Sequence, residues 1–526
     1  MTDKIIRGSG GPPPTPPSPT RAPDTLNSRQ FASIQDLISE GEIEGFATPS
    51  KAALTKGTTA YNNAALKDVF LNDTPILNST ASNTNPQTAD FNFQNVGFTP
   101  RFGTSNQDHI PGIESSQSTT AVGVTVTASS PVTRQITNTN VDAAKVTITF
   151  PQLQKATDEG DLLGSSVALK VQVQYNSGGF SDIISDTITG RTTDAYQKEY
   201  RVNITGAFPV DIRVVRVTAD STSSNLVDAF TWTSLGEIVD DKQTYLNSAY
   251  TNLRIDSEQF SSIPKRAFRI RGVKVRIPGA GASSSGTPSV DTTTGRIVYP
   301  DGYIFNGVMG AAVWTSCPAM VLLDLLTNSR YGFGAHITDS SLDLFSFVAA
   351  SKFANTLVDD GAGGTEPRFS CNVNIQSPKE AFDLINDLSG VMRCMPIWSA
   401  GSITISQDKE TTASYLFNLA NVGEGGFSYS GSSLKQRHSV ISVSYFNMDS
   451  KEVDFEVVED AAAISKLGTI IKQVKAFACT SRNQAARLGR AILFAEQNES
   501  EVITFSTSID AGVIVRPGSV IEINDP

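Results

Sequence analysis

The sequence has few of the residues that build metal or redox sites. Its 526 residues include 4 cysteines, 3 histidines and 3 tryptophans. The cysteines show no CxxC spacing, and there is no HExxH motif. We therefore predict no metal and no cofactor, with the thiols buried and free after synthesis in a reducing compartment. The cysteines are Cys317, Cys371, Cys394 and Cys479.

An excess of positive charge is also missing. Lysine and arginine total 42 against 53 aspartates and glutamates, which gives a net charge of −11. Nucleic-acid binding requires clustered cations that neutralise phosphates. The densest basic stretch, KRAFRIRGVKVR at 265–276, alternates basic with apolar residues. This alternation predicts a strand with one basic, solvated face rather than a phosphate site.

Long apolar runs and catalytic motifs are missing as well. No apolar run approaches the roughly 20 residues that cross a bilayer, and the polar, proline-rich N-terminus does not resemble a signal peptide. No GxSxG motif surrounds a serine, and no motif brings Cys371 or Cys394 to His438. Acidic neighbours such as Glu42 and Glu44 are typical of solvated turns. We predict that the chain is not an enzyme.

The sequence is rich in short alternating apolar stretches separated by polar loops. Hydrophobic residues make up 39% and charged residues only 18%, which is typical of β-rich proteins with an uncharged polar surface. The runs AAKVTITF, VALKVQVQYN and PVDIRVVRVTA predict a β-sandwich over about 131–240. Earlier in the chain, KDVFLNDTPIL predicts a hairpin about Asn72-Asp73.

The N-terminal segment predicts an arm followed by a helix. Residues 1–28 are dominated by proline and glycine, so we expect an extended arm that becomes ordered against a partner. The next stretch, RQFASIQDLISEGEIEG, has apolar residues at helical spacing and predicts a short amphipathic helix that ends at Gly41. Its apolar residues are Phe31, Ile34, Leu37 and Ile38.

Capping patterns predict helices after residue 300. Ser341 is the predicted N-cap of one helix. Ser377 with Glu380, and Ser481 with Gln484, have the spacing of a capping box at two further helices. The chain closes with EVITFSTSI at 501–509 and GVIVRPGSVIEIND at 512–525, which predict two strands joined by a tight turn.

The stretch GGTEPRFSCNVNIQSPK at 363–379 has the glycines, proline and lone cysteine expected of a catalytic loop. It lacks a recognisable catalytic partner, so a shaped loop that leads into the third predicted helix fits better. Its glycines permit turns with positive φ, and Pro367 stiffens the exit.

Eight runs, taken in order, carry a family resemblance from about residue 30 to the end of the chain. Together they resemble the tip attachment protein J family of lambda-like long-tailed bacteriophages, the host-specificity or central tail-hub proteins. The runs are SEGEIEG (39–45), DSEQF (256–260), RYGFG (330–334), GGTEPRFSCN (363–372), MRCMPIW (392–398), QRHSVISVSY (436–445), AFACTSRNQAARLG (476–489) and RPGSVIEI (516–523).

The resemblance implies a mainly β fold with α+β parts. It consists of tail-tube-like hub β-barrels, an inserted β-sandwich and a small helical α/β unit. We expect an extended arm over 1–28, the first part of a hub barrel over 29–130, the inserted sandwich over 131–240, return strands of the barrel over 241–300, an α/β hub domain over 301–420, and a second hub barrel over 421–526 that continues beyond this chain.

The resemblance also implies a function in the virion. Family members form a homotrimer at the distal end of the tail that caps the tail tube, connects it to a central receptor-binding fibre and forms the channel for DNA ejection. The implied partners are other tail-tip proteins, the distal tail tube, the tape-measure protein in the lumen, and a host outer-membrane receptor bound through a C-terminal fibre. The protein would be made in the host cytoplasm.

The fibre domains of the family are absent from this chain, so we expect a truncated form rather than a natural short form with separate fibre proteins. DNA is expected to pass without sequence recognition. An acidic protein offers no counterion-release gain to phosphates, so we predict that loops facing the lumen carry more Asp and Glu than Lys and Arg.

Within the family-like runs, Glu366, Pro367 and Arg368 form a predicted trimer-contact loop. Two opposite charges flank a rigid proline, and they would pair across a subunit seam. The alternative is a loop whose charges are satisfied within its own subunit. Cys371 is expected to pack as a small apolar group.

Two other functions fit the chain less well. A tail-associated enzyme that degrades the cell wall would require a carboxylate pair or a metal site in a cleft. A carbohydrate-binding module in the sandwich would require stacking aromatics, for which strand-edge core packing is an equal explanation. The candidate aromatics are Tyr175, Phe180, Tyr196 and Tyr200.

Overall fold

The computed structural model describes residues 20–260, 262–377, 379–399, 401–431, 437–499 and 501–525. Strands hold 39% of the residues and helices 17%, which confirms the mainly β class. Residues 1–19 of the predicted arm lie outside the described residues. The predicted domain boundaries and the barrel interpretation stay predictions.

The segment after the arm is a strand, so the predicted helix is wrong. Strand β1 (Phe31–Glu40) pairs antiparallel with the distant strand at Ser248–Asp256, and Ile34 lies opposite Leu253. Residues four apart share one face of a helix and also one face of a strand, so Ile34 and Ile38 fit both structures. The partner strand, more than 200 positions away, decides the outcome by supplying the missing hydrogen bonds.

The N-terminal unit combines residues 31–102 with residues 248–273, which return to it after the sandwich. Its small sheets have the orders β1-β17-β5, β18-β3-β4 and β19-β2. The predicted hairpin about Asn72-Asp73 is confirmed, because both residues have positive φ (47° and 64°), as a type I′ turn requires. The other elements are β2 (Ile43–Phe46), α1 (Ala47–Lys51), α2 (Thr59–Ala65), β3 (Val69–Leu71), β4 (Thr74–Pro75), β5 (Gly97–Phe102), β17 (Ser248–Asp256), β18 (Arg266–Phe268) and β19 (Ile270–Val273).

Between β5 and β17 the chain forms a β-sandwich of two four-stranded sheets, ordered β12-β11-β14-β7 and β13-β8-β16-β6. Large side chains such as Phe150, Phe230 and Trp232 are fully buried between them. Its strands, including the small sheet β10-β9-β15, are β6 (Glu114–Thr125), β7 (Val132–Ile136), β8 (Ala143–Phe150), β9 (Gln154–Ala156), β10 (Leu162–Leu163), β11 (Ser165–Tyr175), β12 (Ser181–Gly190), β13 (Tyr196–Asn203), β14 (Val210–Arg216), β15 (Leu226–Val227) and β16 (Thr231–Asp240).

The described end of the arm, residues 20–28, lies against the sandwich of its own chain. Arg191 donates to Asp24 at 2.8 Å, and Leu26 packs against the sandwich core. The backbone N–H of Gln197 donates to the Ser28 hydroxyl at 2.8 Å. For these residues, the expectation that the arm is ordered only by another protein is wrong.

The basic run at 265–276 forms three short strands, β18, β19 and β20 (Val275–Pro278), in three different sheets, and not the single predicted strand. Its cations are ion-paired with carboxylates distant in sequence, or, for Arg271, stacked 4.5 Å from the Trp314 ring. The pairs with Asp36, Asp68 and Glu42 tie the returning chain to the N-terminal unit, whereas Arg271 and Arg276 contact residues later in the chain. Lys265 and Arg269 stay 74% and 47% exposed, so the predicted basic solvated face is only partly retained. The ion pairs are Lys265–Asp73, Arg266–Asp36, Arg269–Asp68, Lys274–Glu42 and Arg276–Asp339.

Next follows an α/β unit whose core surrounds α3 (Pro318–Thr327). Its second helix, α4 (Leu344–Ala354), begins after Asp343, whose side chain accepts the N–H of Ser346; the Ser341 cap prediction is wrong by two residues. The other elements are β21 (Ser289–Val290), β22 (Ile297–Val298), β23 (Met309–Val313), β24 (Leu357–Asp359), β25 (Thr365–Pro367), α5 (Ala381–Val391), β26 (Cys394–Ser399) and β27 (Ser402–Gln407).

Helix α5 begins at Ala381 with Glu380 as its N-cap residue and no side-chain cap. The capping box predicted from Ser377 and Glu380 is therefore wrong. The helix still packs as its apolar stripe requires, with Leu384 and Leu388 buried in the α/β core.

The C-terminal unit is built on a three-stranded sheet ordered β31-β30-β32, with α7 packed on one face. A Cβ at Gly489 would lie 2.8 Å from Val458, so glycine allows α7 to lie directly on the sheet. The elements are β28 (Leu416–Asn418), β29 (Ser428–Gly431), β30 (Val440–Asn447), β31 (Glu452–Glu459), α6 (Ala461–Leu467), β32 (Ile471–Lys475), α7 (Arg482–Asn498), β33 (Glu501–Thr504), α8 (Ile509–Ile514) and β34 (Glu522–Asn524).

The first of the two closing strands is confirmed over Glu501–Thr504 (β33), whereas the second, predicted over 512–525, is wrong in its first half. Residues Ile509–Ile514 form helix α8, and only Glu522–Asn524 form a strand, which pairs in parallel with β28. Across the part of the chain that the structure describes, none of the helices has the length and apolar character to span a membrane.

Candidate interaction site

The loop singled out in the sequence begins in a tight hairpin of β24 and β25. Asp360 accepts backbone N–H groups from Ala362 at 2.8 Å and Gly364 at 2.9 Å. These hydrogen bonds stabilise the carboxylate and hold the pKa of Asp360 below its usual value. Gly361 and Gly363 adopt positive φ values of 72° and 90°, which confirms the expected need for glycine in this turn.

Glu366 leaves the hairpin toward α7 of the same chain. Its carboxylate accepts a hydrogen bond from Arg487 at 2.5 Å and another from the Ser481 hydroxyl at 2.7 Å. Ser481 is the N-cap of α7, where a helix favours negative charge. The charge of Glu366 is therefore satisfied within its own subunit, as the alternative to a trimer contact proposed. A contact of Glu366, Pro367 and Arg368 across a trimer seam stays a prediction.

Further along the loop, Ser370 is hydrogen-bonded to the side chain of Gln484 on α7. Gln484 is buried and accepts from both the backbone N–H and the hydroxyl of Ser370 at 2.9 Å, and it donates to the Ser370 carbonyl at 3.1 Å. Half of the predicted capping box is confirmed, because Ser481 accepts the N–H of Gln484 at 3.2 Å. The other half is wrong, since the Gln484 side chain binds the loop instead of returning to the cap.

The cysteines pack as small apolar groups. Cys317, Cys371 and Cys479 are buried, and Cys394 is partly buried; all four are free thiols. Burial raises the pKa of Cys371 and Cys394 to about 12 and that of Cys479 to about 11, and it also raises that of Cys317. A thiol that stays protonated is a poor nucleophile and a poor metal ligand.

The other candidate chemical groups are not assembled into a catalytic arrangement. His438 lies 2.9 Å from Glu496, and in the described parts of the chain no bond joins it to Cys371 or Cys394. Among the residues that were placed, no group of three or more His, Cys, Asp or Glu side chains is arranged to hold a metal ion.

The four aromatics considered for sugar stacking serve the sandwich itself. Tyr200 is buried and donates to Asp186 at 2.6 Å, which together with burial raises its pKa. Tyr175 and Tyr196 pack against the core, and Phe180 lies 3.7 Å from the Arg213 guanidinium. These contacts agree with the strand-edge explanation of the four aromatics.

A cavity of about 440 Å³ lies beside the loop, between α5, β32 and α7. Three arginines line it: Arg368, Arg393 and Arg487. Sequence analysis missed this group, because the three residues lie on separate elements and are adjacent only in the folded chain.

The second feature missed by the sequence is an uncovered apolar face. The sheet β31-β30-β32 packs α7 on one face, and its other face exposes large apolar side chains. We call this the C-terminal apolar face. It consists of Phe446 (42% exposed), Val453 (62%), Phe455 (59%), Val457 (53%) and Ile471 (59%).

Comparison with protein families assigns two parts of the chain to phage tail proteins. Residues 116–241 match the family described as "Tip attachment protein J, FNIII-A domain", and residues 380–526 match "Putative phage tail protein". The first match covers the β-sandwich, and the second contains the C-terminal apolar face. These matches define the class as a bacteriophage tail protein.

Whole-chain relatives specify the class further. The chain is 30% identical over 528 residues to the tip attachment protein J of Escherichia phage SECphi27, covering 100% of this chain and 41% of that protein. It is 29% identical over 531 residues to the same protein of Escherichia phage SECphi4, covering 99% of this chain and 42% of that protein. The chain thus spans about two fifths of their length. The resemblance to tip attachment protein J is confirmed, and a tail-tip protein of the virion is supported.

Solved structures add little. A 43 kDa tail protein of prophage MuSo2 from Shewanella oneidensis has a TM-score of 0.24 at 12% identity, over 73% of this chain and 84% of that one. A structure titled "CBM4 structure and function" has a TM-score of 0.11 at 12% identity, over 34% of this chain and 95% of that one. TM-scores this low give no argument about function.

Proposed function

We propose that this chain is the structural hub of a phage tail tip. As a homotrimer it caps the tail tube, connects it to the central receptor-binding fibre and forms the channel for DNA ejection. The similarity over the whole chain to two tip attachment proteins carries the proposal. The hub acts by contact and not by catalysis, and it meets the tape-measure protein in the lumen and other tail-tip proteins on its outer surface.

The C-terminal apolar face supports an assembly of several copies. Contiguous exposed apolar patches mark interaction surfaces, because leaving them in water is unfavourable. A second copy is the occupant we propose, since the strand order ends at β31 and the edge of this strand has no neighbour within the described chain. A neighbouring subunit in a closed ring could cover such an edge, and the apolar face lies beside it.

The first test is the mass of the purified chain in solution, measured by light scattering over a range of concentrations. We expect the mass of three chains. Replacing Phe455 by aspartate places a charge in the apolar face and should yield monomers. The matched control is Ile183→Asp, which changes a 49% exposed residue on the outer face of the sandwich and should leave the trimer intact.

Two outcomes would contradict the assembly. One is a wild-type chain that stays monomeric at every concentration, and the other is a Phe455→Asp variant that keeps the wild-type mass. A trimer that is unaffected by Phe455→Asp but dissociated by Glu366→Ala would show that the interface lies at the predicted trimer-contact loop.

The channel has its own test. The net charge of −11 gives phosphates no overall attraction, so the assembled hub should not retain duplex DNA on a filter even at low salt. Salt-sensitive retention of DNA would contradict an acidic lumen.

The arm is tested by shortening it at residue 19. Because residues 20–28 are bound to the sandwich of their own chain, removing 1–19 should leave folding unchanged. We expect the shortened chain to assemble into tails less efficiently. Normal tail assembly would reduce the arm to a spacer.

A further inference from the structure

The cavity between α5, β32 and α7 is lined by both apolar and cationic residues. Phe369, Val391 and Leu488 are the apolar residues, called the floor here, and Arg368, Arg393 and Arg487 are the cationic residues, called the rim. Lys475 is a further lining residue. At about 440 Å³, the cavity has room for one or two side chains of another molecule.

The positive charge of the rim is only partly neutralised. Arg487 is paired with Glu366 at 2.5 Å, whereas neither Arg368 nor Arg393 forms an ion pair with any residue that the structure describes. Asp387 also lines the cavity, but its carboxylate is bound by Lys379 at 2.6 Å. A protein of net charge −11 thus retains a local concentration of cations at this point.

The guanidinium groups also have unused hydrogen-bonding capacity. The Nε atoms of Arg368, Arg393 and Arg487 are buried and have no partner in the described parts of the chain. A buried donor without a partner is unfavourable, so the hydrogen bonding of this arginine group is incomplete in the single chain as described. Burial, together with the charges of Arg393 and Arg487, lowers the pKa of Arg368, which is the effect expected where like charges lack a counter-charge.

We propose that this arginine pocket binds an acidic protein segment of a tail partner, with a carboxylate held by Arg368 and Arg393 and a neighbouring apolar side chain on the floor. Planar guanidinium groups match carboxylates in paired hydrogen bonds. A nucleic acid is disfavoured because the protein as a whole is acidic, with a net charge of −11, whereas a phosphate backbone requires an extended basic track. The source of the segment rests on the proposed tail function, but the pocket itself does not depend on trimer formation.

The proposal is tested with a synthetic peptide, acetyl-Leu-Glu-Leu-Glu-amide, and its analogue with glutamine in place of glutamate. Binding to the purified chain is measured by calorimetry. We expect the glutamate peptide to bind at least about tenfold more tightly than the glutamine analogue. The double variant Arg368→Gln/Arg393→Gln should remove this preference. Arg490→Gln, at an exposed position on α7, is the matched control and should preserve it.

A second measurement follows the melting temperature in the presence of succinate instead of a peptide. Succinate should raise the melting temperature of the wild-type chain and of Arg490→Gln, but not that of the double variant. The double variant removes two unneutralised charges, but it also removes the stacking of Arg368 on the Phe353 ring at 4.4 Å, so its melting temperature should stay close to that of the wild type. A large loss of thermal stability would assign the arginines a structural role and overturn the proposal.

Other results would also overturn it. Equal binding of the two peptides would show that the pocket does not recognise the carboxylate. Wild-type affinity in the double variant would place binding elsewhere. Inorganic phosphate that displaces the peptide as effectively as succinate would indicate a general oxyanion site. Because each readout is made on the isolated chain, a failed trimer test leaves these outcomes unchanged.

Discussion

The β-sandwich and the C-terminal sheet use the same alternating pattern with opposite results. In β11, the apolar residues Val167, Leu169 and Val171 point into a core closed by a second sheet of the same chain. In β31, Phe455 and its apolar neighbours point away from α7. The acidic Glu456 lies on the α7 side of that strand, where it accepts a hydrogen bond from Arg482 at 2.6 Å.

This difference separates a module that is complete in one chain from a surface that requires a partner. A strand with one apolar face is stable only when that face is covered. The sandwich covers its own, so its outer surface is free to be polar. The C-terminal sheet leaves its apolar face in water within one chain, and a further copy is the cover that we propose.

The largest effect is expected from breaking the closed core of the sandwich. Trp232 is fully buried, and its indole N–H donates to the Ser234 carbonyl at 2.8 Å. Trp232→Ala should therefore lower the free energy of unfolding by about 3–5 kcal/mol, as measured by urea denaturation. Val217→Ala, at a 52% exposed position, is the control and should change it by less than about 0.5 kcal/mol. Equal effects would show that the sandwich core is not closed in one chain.

A smaller effect is expected where the C-terminal unit is joined to the loop. Gln484→Ala removes three hydrogen bonds and leaves partly buried groups of Ser370 without partners, which should cost about 1–3 kcal/mol in urea denaturation. The control Gln473→Ala, at an exposed position on β32, should be close to neutral. A neutral Gln484→Ala would mean that the loop is held by other contacts.

The contact between β20 and Asp339 in the α/β unit should depend weakly on pH. The hydrogen bonds from Arg276, and its charge, hold the pKa of Asp339 below its usual value despite partial burial. A depressed folded-state pKa adds stability that is present above the unfolded pKa of roughly 3.9 and is lost as the pH falls through the folded value. The pair is partly exposed, so we expect no more than about 1 kcal/mol.

The pH prediction is checked by comparing urea denaturation of the wild type and Asp339→Asn at pH 7 and near pH 3. The difference in stability between the two proteins should shrink on acidification. A difference that stays constant or grows would contradict the role given to this carboxylate.

The smallest effects on stability are expected from substitutions in the C-terminal apolar face and on the outer face of the sandwich. Val453→Lys in the C-terminal apolar face and Ile183→Lys on the sandwich should each change the free energy of unfolding of the single chain by no more than about 0.5 kcal/mol. Only Val453→Lys should abolish the concentration dependence of the sedimentation coefficient. Loss of self-association in both variants would make the comparison between the faces invalid.

Much of the fold could be predicted where local chemistry is decisive. Asn72-Asp73 specifies its hairpin turn, because few residues other than Asn, Asp and Gly accept two successive positive φ values. The alternating runs of the sandwich specify strands, and Ser481 marks the start of α7. The errors fall where local preference is divided: β1 fits a helix equally well, and α8 lies in a run whose apolar residues suit either structure.

The sequence by itself determined the mainly β class, the strands of the sandwich, the acidic balance and the ordered motifs that mark a relative of tip attachment protein J. Only the tertiary structure decided that β1 is a strand, that Glu366 binds Arg487, that three arginines surround one cavity, and that the apolar side of β31 stays uncovered. The physical reason is distance along the chain. A turn or a cap depends on a few adjacent residues, whereas an ion pair, a pocket or an exposed face depends on which distant segments pack together.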